Sequence, residues 1–218
     1  EFMAAIMTAE GFEIERVAVL VDECRAMGIK VLPPSIQKSN ESFTVAGEHE
    51  IRFGLASVKN VGTNIVRAII EARLQGGEFS SVTDFIERVR HKDLNKKSLE
   101  SLIKCGALYQ LGERNQLLAN TETMLEFARS AQRATVDRQV SLFGETIRMS
   151  IKLKLRVVEP ASKKDRMSWE KELLGLYVTA HPLEERPHVL PARGGFHGRR
   201  RAVWHDHGRM AKAGLCIA

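Results

Sequence analysis

The residues with the clearest chemical potential form the turn of a predicted helical hairpin, in the stretch LASVKNVGTNIVRAIIEAR. A short helix at Leu55–Lys59 meets a tight turn, and a second helix begins at about Thr63. Gly62 is expected to allow a backbone geometry that a β-carbon would oppose. The free N–H groups at the start of the second helix would point outward, where the helix dipole favours an anion. Such donors bind the phosphate of any nucleotide, so the turn predicts DNA contact without sequence preference.

The predicted DNA-binding residues of this first hairpin are Lys59, Asn60, Val61, Gly62, Thr63 and Asn64. Arg67 and Arg73 would each add a positive charge. A second candidate hairpin, LNKKSLESLIKCGALYQLG, contributes Lys104 and Gly106. The alternative is a pair of plain helical hairpins with glycine stops, which are common in all-α proteins. Two hairpins in tandem favour DNA, because a pseudo-symmetric pair can follow a duplex across its minor groove.

An apolar pair stands alone in a polar stretch, DRQVSLFGE, at residues 137–145. Leu142 and Phe143 fit neither a helical nor a strand period. Two exposed apolar side chains in a mobile segment are suited to docking on another protein, because the peptide must be accessible before it binds. The alternative is that the pair folds back onto the neighbouring hairpins.

Catalytic patterns are absent from the sequence. The aspartates never form a D-x-D pair of the kind that could hold two metal ions for nucleotidyl transfer. There is no glycine-rich phosphate loop ending in Gly-Lys-Ser/Thr and no G-x-S-x-G. His205, His207 and Cys216 lack paired metal-ligand spacing, which favours an unstructured tail over a metal site. We therefore expect no catalytic residue, no metal site and no cofactor in this chain.

The elements that must position these residues are predicted to be mostly helices. Apolar spacing predicts a helix over Phe2–Met27 that stops at Gly28, and KVLPPSI must leave it because paired prolines cannot continue a helix. Apolar residues alternate on both sides of a glycine-containing turn, which predicts a β-hairpin. The residues concerned are Phe43, Val45, Ile51 and Phe53.

Short helices punctuated by glycines are predicted from Leu55 to about Arg133. A charged connector, VRHKDLNKKS, lies among them, and its Asn95 or Ser98 is expected to cap the next helix. The predicted fold class is mainly α with a small β-hairpin: a tandem helix-hairpin-helix, then a flexible linker and the start of a second domain at WEKELLGLYVTAHPLEE.

Charge is distributed unevenly along the 218 residues. The formal net charge is +6, but the whole excess lies in residues 186–218, and residues 1–185 carry equal numbers of acidic and basic side chains. DNA contact in residues 1–185 must therefore come from local geometry. No run of apolar residues is long enough for a membrane span, and three scattered cysteines favour a reducing cytosol.

Several motifs, taken in order, resemble one family. They are EFMAAIMTAE, ECRAMGIKVLPPSIQKS, FTVAGEHEIRFGLASVKNVG, LNKKSLESLIKCGAL, QVSLFGE and ELLGLYVTAHPLEE, and over residues 1–185 they resemble the bacterial DNA polymerase III alpha subunit family. The resemblance implies four regions within residues 1–185. These are the end of the fingers at 1–36, a β-hairpin with a tandem helix-hairpin-helix DNA-binding region at 37–131, a linker with a sliding-clamp-binding motif at 132–165, and a lead-in to an OB-fold domain at 166–185. The resemblance ends there, and residues 186–218, rich in arginine and glycine and without a sustained period, are expected to be an aberrant, disordered tail.

The function that the resemblance implies is that of a fragment of a DNA-directed DNA polymerase active in DNA replication. Gln139, Leu142 and Phe143 would bind the β sliding clamp, with the apolar pair in a pocket and Gln139 hydrogen-bonded at its rim. The PHP domain and the magnesium-dependent palm would lie upstream, so this fragment alone is expected to be inactive. The implied partners are double-stranded DNA, the clamp and other replicase subunits, in the bacterial cytoplasm at the nucleoid, with no membrane.

Three alternatives stay open at the level of sequence. The first is a non-catalytic helix-hairpin-helix DNA-binding adaptor of DNA repair that also carries a clamp peptide. The second is the error-prone paralogue of the same polymerase family. The third is a small helical scaffold without DNA contact, which would lack the steep salt dependence that phosphate binding produces.

Overall fold

The N-terminal helical region is a pair of helices rather than one. The computed structural model describes residues 1–11, 13–138 and 153–178, and its first helices are α1 (Phe2–Ala9) and α2 (Ile14–Ala26). The prediction of one helix over Phe2–Met27 is therefore wrong. Gly11 lies so close to the Ser57 side chain that a β-carbon there would stand 2.8 Å from Ser57 Oγ. Gly11 thus lies in the break between the two helices, at a close approach to Ser57.

A small sheet follows the helix pair. Its strands are β1 (Lys30–Leu32), β2 (Thr44–Gly47) and β3 (Glu50–Arg52), in the order β1-β3-β2. The antiparallel pairing of β2 with β3 confirms the predicted hairpin, and β1 adds a parallel strand. Sequence reasoning missed β1 because three residues before a pair of prolines are too few to show a strand period.

Aromatic packing fixes the sheet on the core. The rings of Phe43 and Phe53 meet edge to face, with 4.6 Å between their centroids, and both side chains are buried with Ile51. Val45, predicted as part of the same apolar pattern, is 49% exposed. The register of the ladder shifts between Val45 and Gly47, and this irregularity accompanies the outward placement of Val45.

Helices make up most of the remaining structure. After a 3₁₀ turn at Leu55–Ser57 come α3 (Thr63–Gly76), α4 (Val82–Arg88), α5 (Lys96–Lys104), α6 (Arg114–Ala119), α7 (Thr121–Arg138) and α8 (Lys163–Leu174). The predicted cap of α5 is confirmed as a capping box, since the Asn95 side chain accepts from the Ser98 amide and Ser98 Oγ accepts from the Asn95 amide. The fold is thus mainly α with a small sheet, as predicted.

Residues 153–178 pack onto the same core as the preceding helices. Leu153 and Leu155 lie partly buried against it, and Leu173 and Leu174 of α8 are buried within it. The described ends of the segment predicted as a linker, 132–165, are therefore helical or in contact with the core, and the boundaries given for it stay a prediction. Within the described ranges, no helix is long and apolar enough to cross a membrane.

Candidate nucleic-acid interface

The turn of the first hairpin is built on two buried valines and one left-handed residue. Val58 and Val61 are 2% and 6% exposed and anchor the turn on the core. Asn60 between them adopts a φ of 66°, a conformation that asparagine tolerates better than most residues. Gly62 has an ordinary extended backbone, with φ −75° and ψ 155°. The expectation that Gly62 carries the unusual backbone geometry is therefore wrong, because Asn60 carries it.

Two other helices hold this turn in place. The Asn60 side chain donates from Nδ2 to Ser101 Oγ of α5 at 3.3 Å. The Lys59 amide donates to the carbonyl oxygen of Leu173 in α8 at 3.1 Å. Because both partners are remote in sequence, the position of the turn depends on the tertiary fold rather than on local propensity.

The start of α3 is open. Gly62 is the N-cap residue, and α3 has no side-chain cap, whereas α4, α5, α6 and α8 each begin at a residue whose side chain accepts from a helix amide. A β-carbon at Gly62 would meet no atom within 4 Å, and Thr63 and Asn64 are exposed. The first amides of α3 thus face outward at the positive end of the helix dipole.

Of the three basic residues predicted near this turn, two use their side chains in hydrogen bonds within the protein. Arg67 donates to the Glu41 carboxylate at 3.2 Å. Arg73 donates to the carbonyl oxygens of Ile36 and Ser39 at 3.0 and 2.9 Å, and its burial lowers its pKa. Lys59 is exposed, and its side chain forms no ion pair within the part of the chain that the structure describes.

The remaining predicted residues of the turn are placed by local contacts. Asn64 donates from Nδ2 to Asp93 Oδ2 at 3.2 Å, which brings the connector before α5 next to the start of α3. Asp93 Oδ2 also lies 3.6 Å from His91 Nδ1. The connector and the turn therefore form one continuous surface.

The second hairpin has a different turn. Gly106 adopts a φ of 85°, and the space in which its β-carbon would stand holds the guanidinium group of Arg114. Arg114 donates to the Lys104 carbonyl oxygen at 3.2 Å and pairs with Glu170 of α8 at 2.9 Å. The Glu170 side chain is 1% exposed. This turn is therefore filled by protein, and Gly106 offers no open backbone surface comparable to that of Gly62.

The helix that follows the second turn is also closed at its start. Glu113 caps α6 by accepting from the Gln116 amide at 3.0 Å, and its other oxygen accepts from the Ala161 amide at 2.9 Å. Burial opposes ionisation of Glu113, but these hydrogen bonds outweigh it and lower the pKa of the carboxyl group. A carboxylate thus occupies the position that an incoming phosphate would need.

The predicted clamp-binding residues, Gln139, Leu142 and Phe143, lie outside the described residues. The chain is anchored before and after them. Asn120, at the start of α7, exchanges two hydrogen bonds with the backbone of Arg156, at 2.8 and 3.0 Å.

Sequence reasoning named Asn60 as a DNA-binding residue but missed its role in bracing the first turn, and it missed the residues that brace the second turn. The left-handed backbone of Asn60 carried a signal, because asparagine tolerates this conformation in turns. Arg114 and Glu170 carried none, since 56 residues separate them and each looks like an ordinary helix-surface charge in the sequence. As to metal ligands, no group of three or more His, Cys, Asp or Glu side chains in the described ranges is placed to hold a metal ion.

Comparison with known proteins finds a motif and relatives that cover these residues. Residues 28–117 match a protein-family model described as a helix-hairpin-helix motif. The chain is 41% identical to the DNA polymerase III subunit alpha of Thermus aquaticus over 187 residues, which cover 86% of this chain and 15% of that protein. The corresponding subunit of Deinococcus radiodurans is 41% identical over 189 residues, covering 85% and 14%. That of Escherichia coli K12 is 38% identical over 188 residues, covering 85% and 16%. The chain thus spans about one seventh of the length of these relatives.

Proposed function

Since the chain is homologous over most of its length to a segment of the DNA polymerase III alpha subunit, we propose that it is a fragment of such a replicative polymerase that binds duplex DNA and a sliding clamp. The observation that carries the DNA-binding part is the uncapped start of α3, where Gly62 leaves open space in front of outward-facing amides. The helix-hairpin-helix match includes this turn. Polymerisation itself is assigned to the longer protein, with its magnesium-dependent palm.

The geometry supports a contact with the DNA backbone rather than with base edges. The amides of Thr63 and Asn64 are fixed donors at a helix N-terminus, which suits a phosphate oxygen of either strand and any sequence. Lys59 adds a nearby positive charge. Because α5 and α8 hold the turn through Asn60 and Lys59, these donors need no rearrangement before they bind.

The two hairpins take different parts in this proposal. The first presents its turn to DNA. The second, whose turn is filled by Arg114, supports the first through the contact of Ser101 with Asn60. The turn residue Gly106, included on sequence grounds, is accordingly given no direct contact with DNA.

The DNA-binding proposal is tested by fluorescence anisotropy with the purified chain and two duplexes of unrelated sequence. Equal affinities for the two duplexes are expected, together with a linear fall of log K with log salt concentration. A preference of more than about tenfold for one duplex would indicate base readout, since each well-made base contact discriminates by about 1–3 kcal/mol. No binding at low salt would remove the proposal. Primer extension by this chain alone, which we expect to be absent, would overturn the assignment of polymerisation to the palm.

The sliding-clamp contact is proposed from the peptide QVSLF. Burial of one leucine and one phenylalanine gains roughly 3–6 kcal/mol before ordering costs. The isolated peptide is therefore expected to bind no more tightly than about micromolar. When DNA is bound by the same chain, the clamp contact becomes effectively intramolecular, and its useful strength rises without a new contact.

The clamp proposal is tested by pull-down with a bacterial β sliding clamp. The double variant Leu142→Ala, Phe143→Ala should lose the clamp and keep its affinity for duplex DNA. Val157→Ala is a matched control, because Val157 is an exposed apolar residue close by in the chain, 85% accessible. Clamp retention by the double variant, or equal loss by the control, would contradict the docking role.

A further inference from the structure

Helix α5 presents a basic face next to the open turn of the first hairpin. The hydrogen bond from Asn60 Nδ2 to Ser101 Oγ fixes which side of α5 adjoins the turn. Lys97 precedes Ser101 by four residues and Lys104 follows it by three, so both lie on the same side of the helix as Ser101. Their positions differ by about 10 Å along the helix axis, which is close to three base-pair steps of a duplex at about 3.4 Å each.

The neighbouring lysine lies on another side of the helix. Lys96 stands about 140° around the helix axis from Ser101, and its ammonium group pairs with Glu122 of α7 at 2.7 Å. Lys104 has a carboxylate neighbour, Glu100, at 4.0 Å. Lys97 is exposed and forms no ion pair with any described residue.

In the protein without DNA, the position of Lys97 on α5 is electrostatically unfavourable. It is the second residue of α5, where the positive end of the helix dipole disfavours a cation. No ion pair with a described residue offsets this unfavourable interaction. A phosphate in front of this face would reverse the sign of the interaction, because the dipole and the lysine would then attract the same anion.

We propose that Lys97, with Lys104, binds the phosphate backbone of the duplex that occupies the first hairpin turn. The second hairpin would thus reach DNA through the outer face of its first helix and not through its glycine turn. This inference rests on the proposed function, since it extends the same DNA surface along α5.

The test compares two variants of adjacent residues with equal charge change, Lys97→Gln and Lys96→Gln, in the 218-residue chain. Each phosphate contact contributes about 0.9 to the slope of log K against log salt. We expect Lys97→Gln to reduce the slope by about that amount. Its affinity deficit relative to the unsubstituted chain should therefore be about 3.5-fold larger at 50 mM than at 200 mM salt. Lys96→Gln should leave the slope unchanged, and Lys97→Arg should restore it.

Three results would overturn the inference. Equal slopes for Lys97→Gln and the unsubstituted chain would show that Lys97 contacts no phosphate. Equal reductions by Lys97→Gln and Lys96→Gln would show only a general effect of net charge. If the unsubstituted chain itself shows no salt-dependent binding, the proposed function fails with it. In the first two cases, DNA binding that still depends on Gly62 leaves the proposed function intact. Only small changes in melting temperature are expected for the two variants, because both side chains are exposed.

Discussion

A serine at position 62 should make the protein more stable and its DNA binding weaker. The backbone of Gly62, at φ −75° and ψ 155°, nearly matches that of Ser162, at φ −62° and ψ 156°. Ser162 caps α8, with its Oγ accepting from the Asp165 amide at 3.1 Å. A serine placed at position 62 therefore has the geometry to cap α3, and its β-carbon meets no neighbour.

The substitution is expected to raise the stability of the fold and to lower the affinity for DNA. A serine cap in place of glycine stabilises by a few tenths of a kcal/mol, and loss of glycine freedom in the unfolded chain adds roughly 0.4–1 kcal/mol. The melting temperature should rise by about 2–4 °C. By analogy with Ser162, the hydroxyl group would accept from the Ile65 amide and stand beside the Thr63 and Asn64 amides, where it competes with a phosphate oxygen. One lost hydrogen bond to a charged group costs about 1.5–3 kcal/mol, which weakens DNA binding by about 10- to 100-fold.

The assay pairs thermal unfolding with duplex anisotropy at one salt concentration. Ser162→Ala is the matched control, because it removes a cap from α8 at a cost of about 1 kcal/mol and touches no residue of the turn. It should lower the melting temperature without changing DNA affinity. If Gly62→Ser binds DNA as tightly as the unsubstituted chain, the α3 amides do not face phosphate. If it loses stability and affinity together, the cap geometry is wrong.

Two further predictions concern titratable groups. Because the folded pKa of Glu113 lies below its unfolded value, its carboxylate stabilises the fold above the unfolded pKa, and this contribution is lost as pH falls through the folded pKa. Glu113→Gln should lower the melting temperature at pH 7, with a difference that disappears on acidification; a constant difference from pH 7 to pH 3 would count against the hydrogen bonds at α6. Burial raises the pKa of Cys105 to about 12 and also raises that of Cys24. In a Cys216→Ser variant, a thiol reagent at pH 8 should therefore modify neither cysteine before denaturant is added. Rapid modification in the native state would contradict their burial.

Local chemistry predicted the parts of the fold whose signals lie within a few residues. The capping box of Asn95 and Ser98, the glycine stop after α2 and the β2–β3 hairpin each depend on neighbours in sequence. The break between α1 and α2 was missed because a single glycine inside an apolar helical pattern does not by itself end a helix. The packing of Gly11 against Ser57 is a tertiary contact, which periodicity does not report.

In the candidate site, too, the features that depend on neighbouring residues were predicted and those that depend on tertiary contacts were not. The start of α3 could be placed from the glycine and the apolar pattern that follows it. The difference between the two hairpins could not be predicted from the sequence, because it depends on a tertiary contact. Arg114 fills the second turn and pairs with Glu170 of α8. Asn60 and Gly62 lie two residues apart, and both residue types tolerate a left-handed backbone. The coordinates show that Asn60 adopts it.

The contacts of helix α8 limit how far the chain can be shortened without disturbing the two hairpin turns. Through Leu173 it accepts a hydrogen bond from the first hairpin, and through Glu170 it neutralises Arg114 of the second. A fragment that stopped at residue 117 would keep the whole matched motif and yet leave a guanidinium group without its counter-ion beside Gly106. We therefore expect a fragment of residues 28–117 to be less stable than one that extends through α8, because it loses both of these contacts.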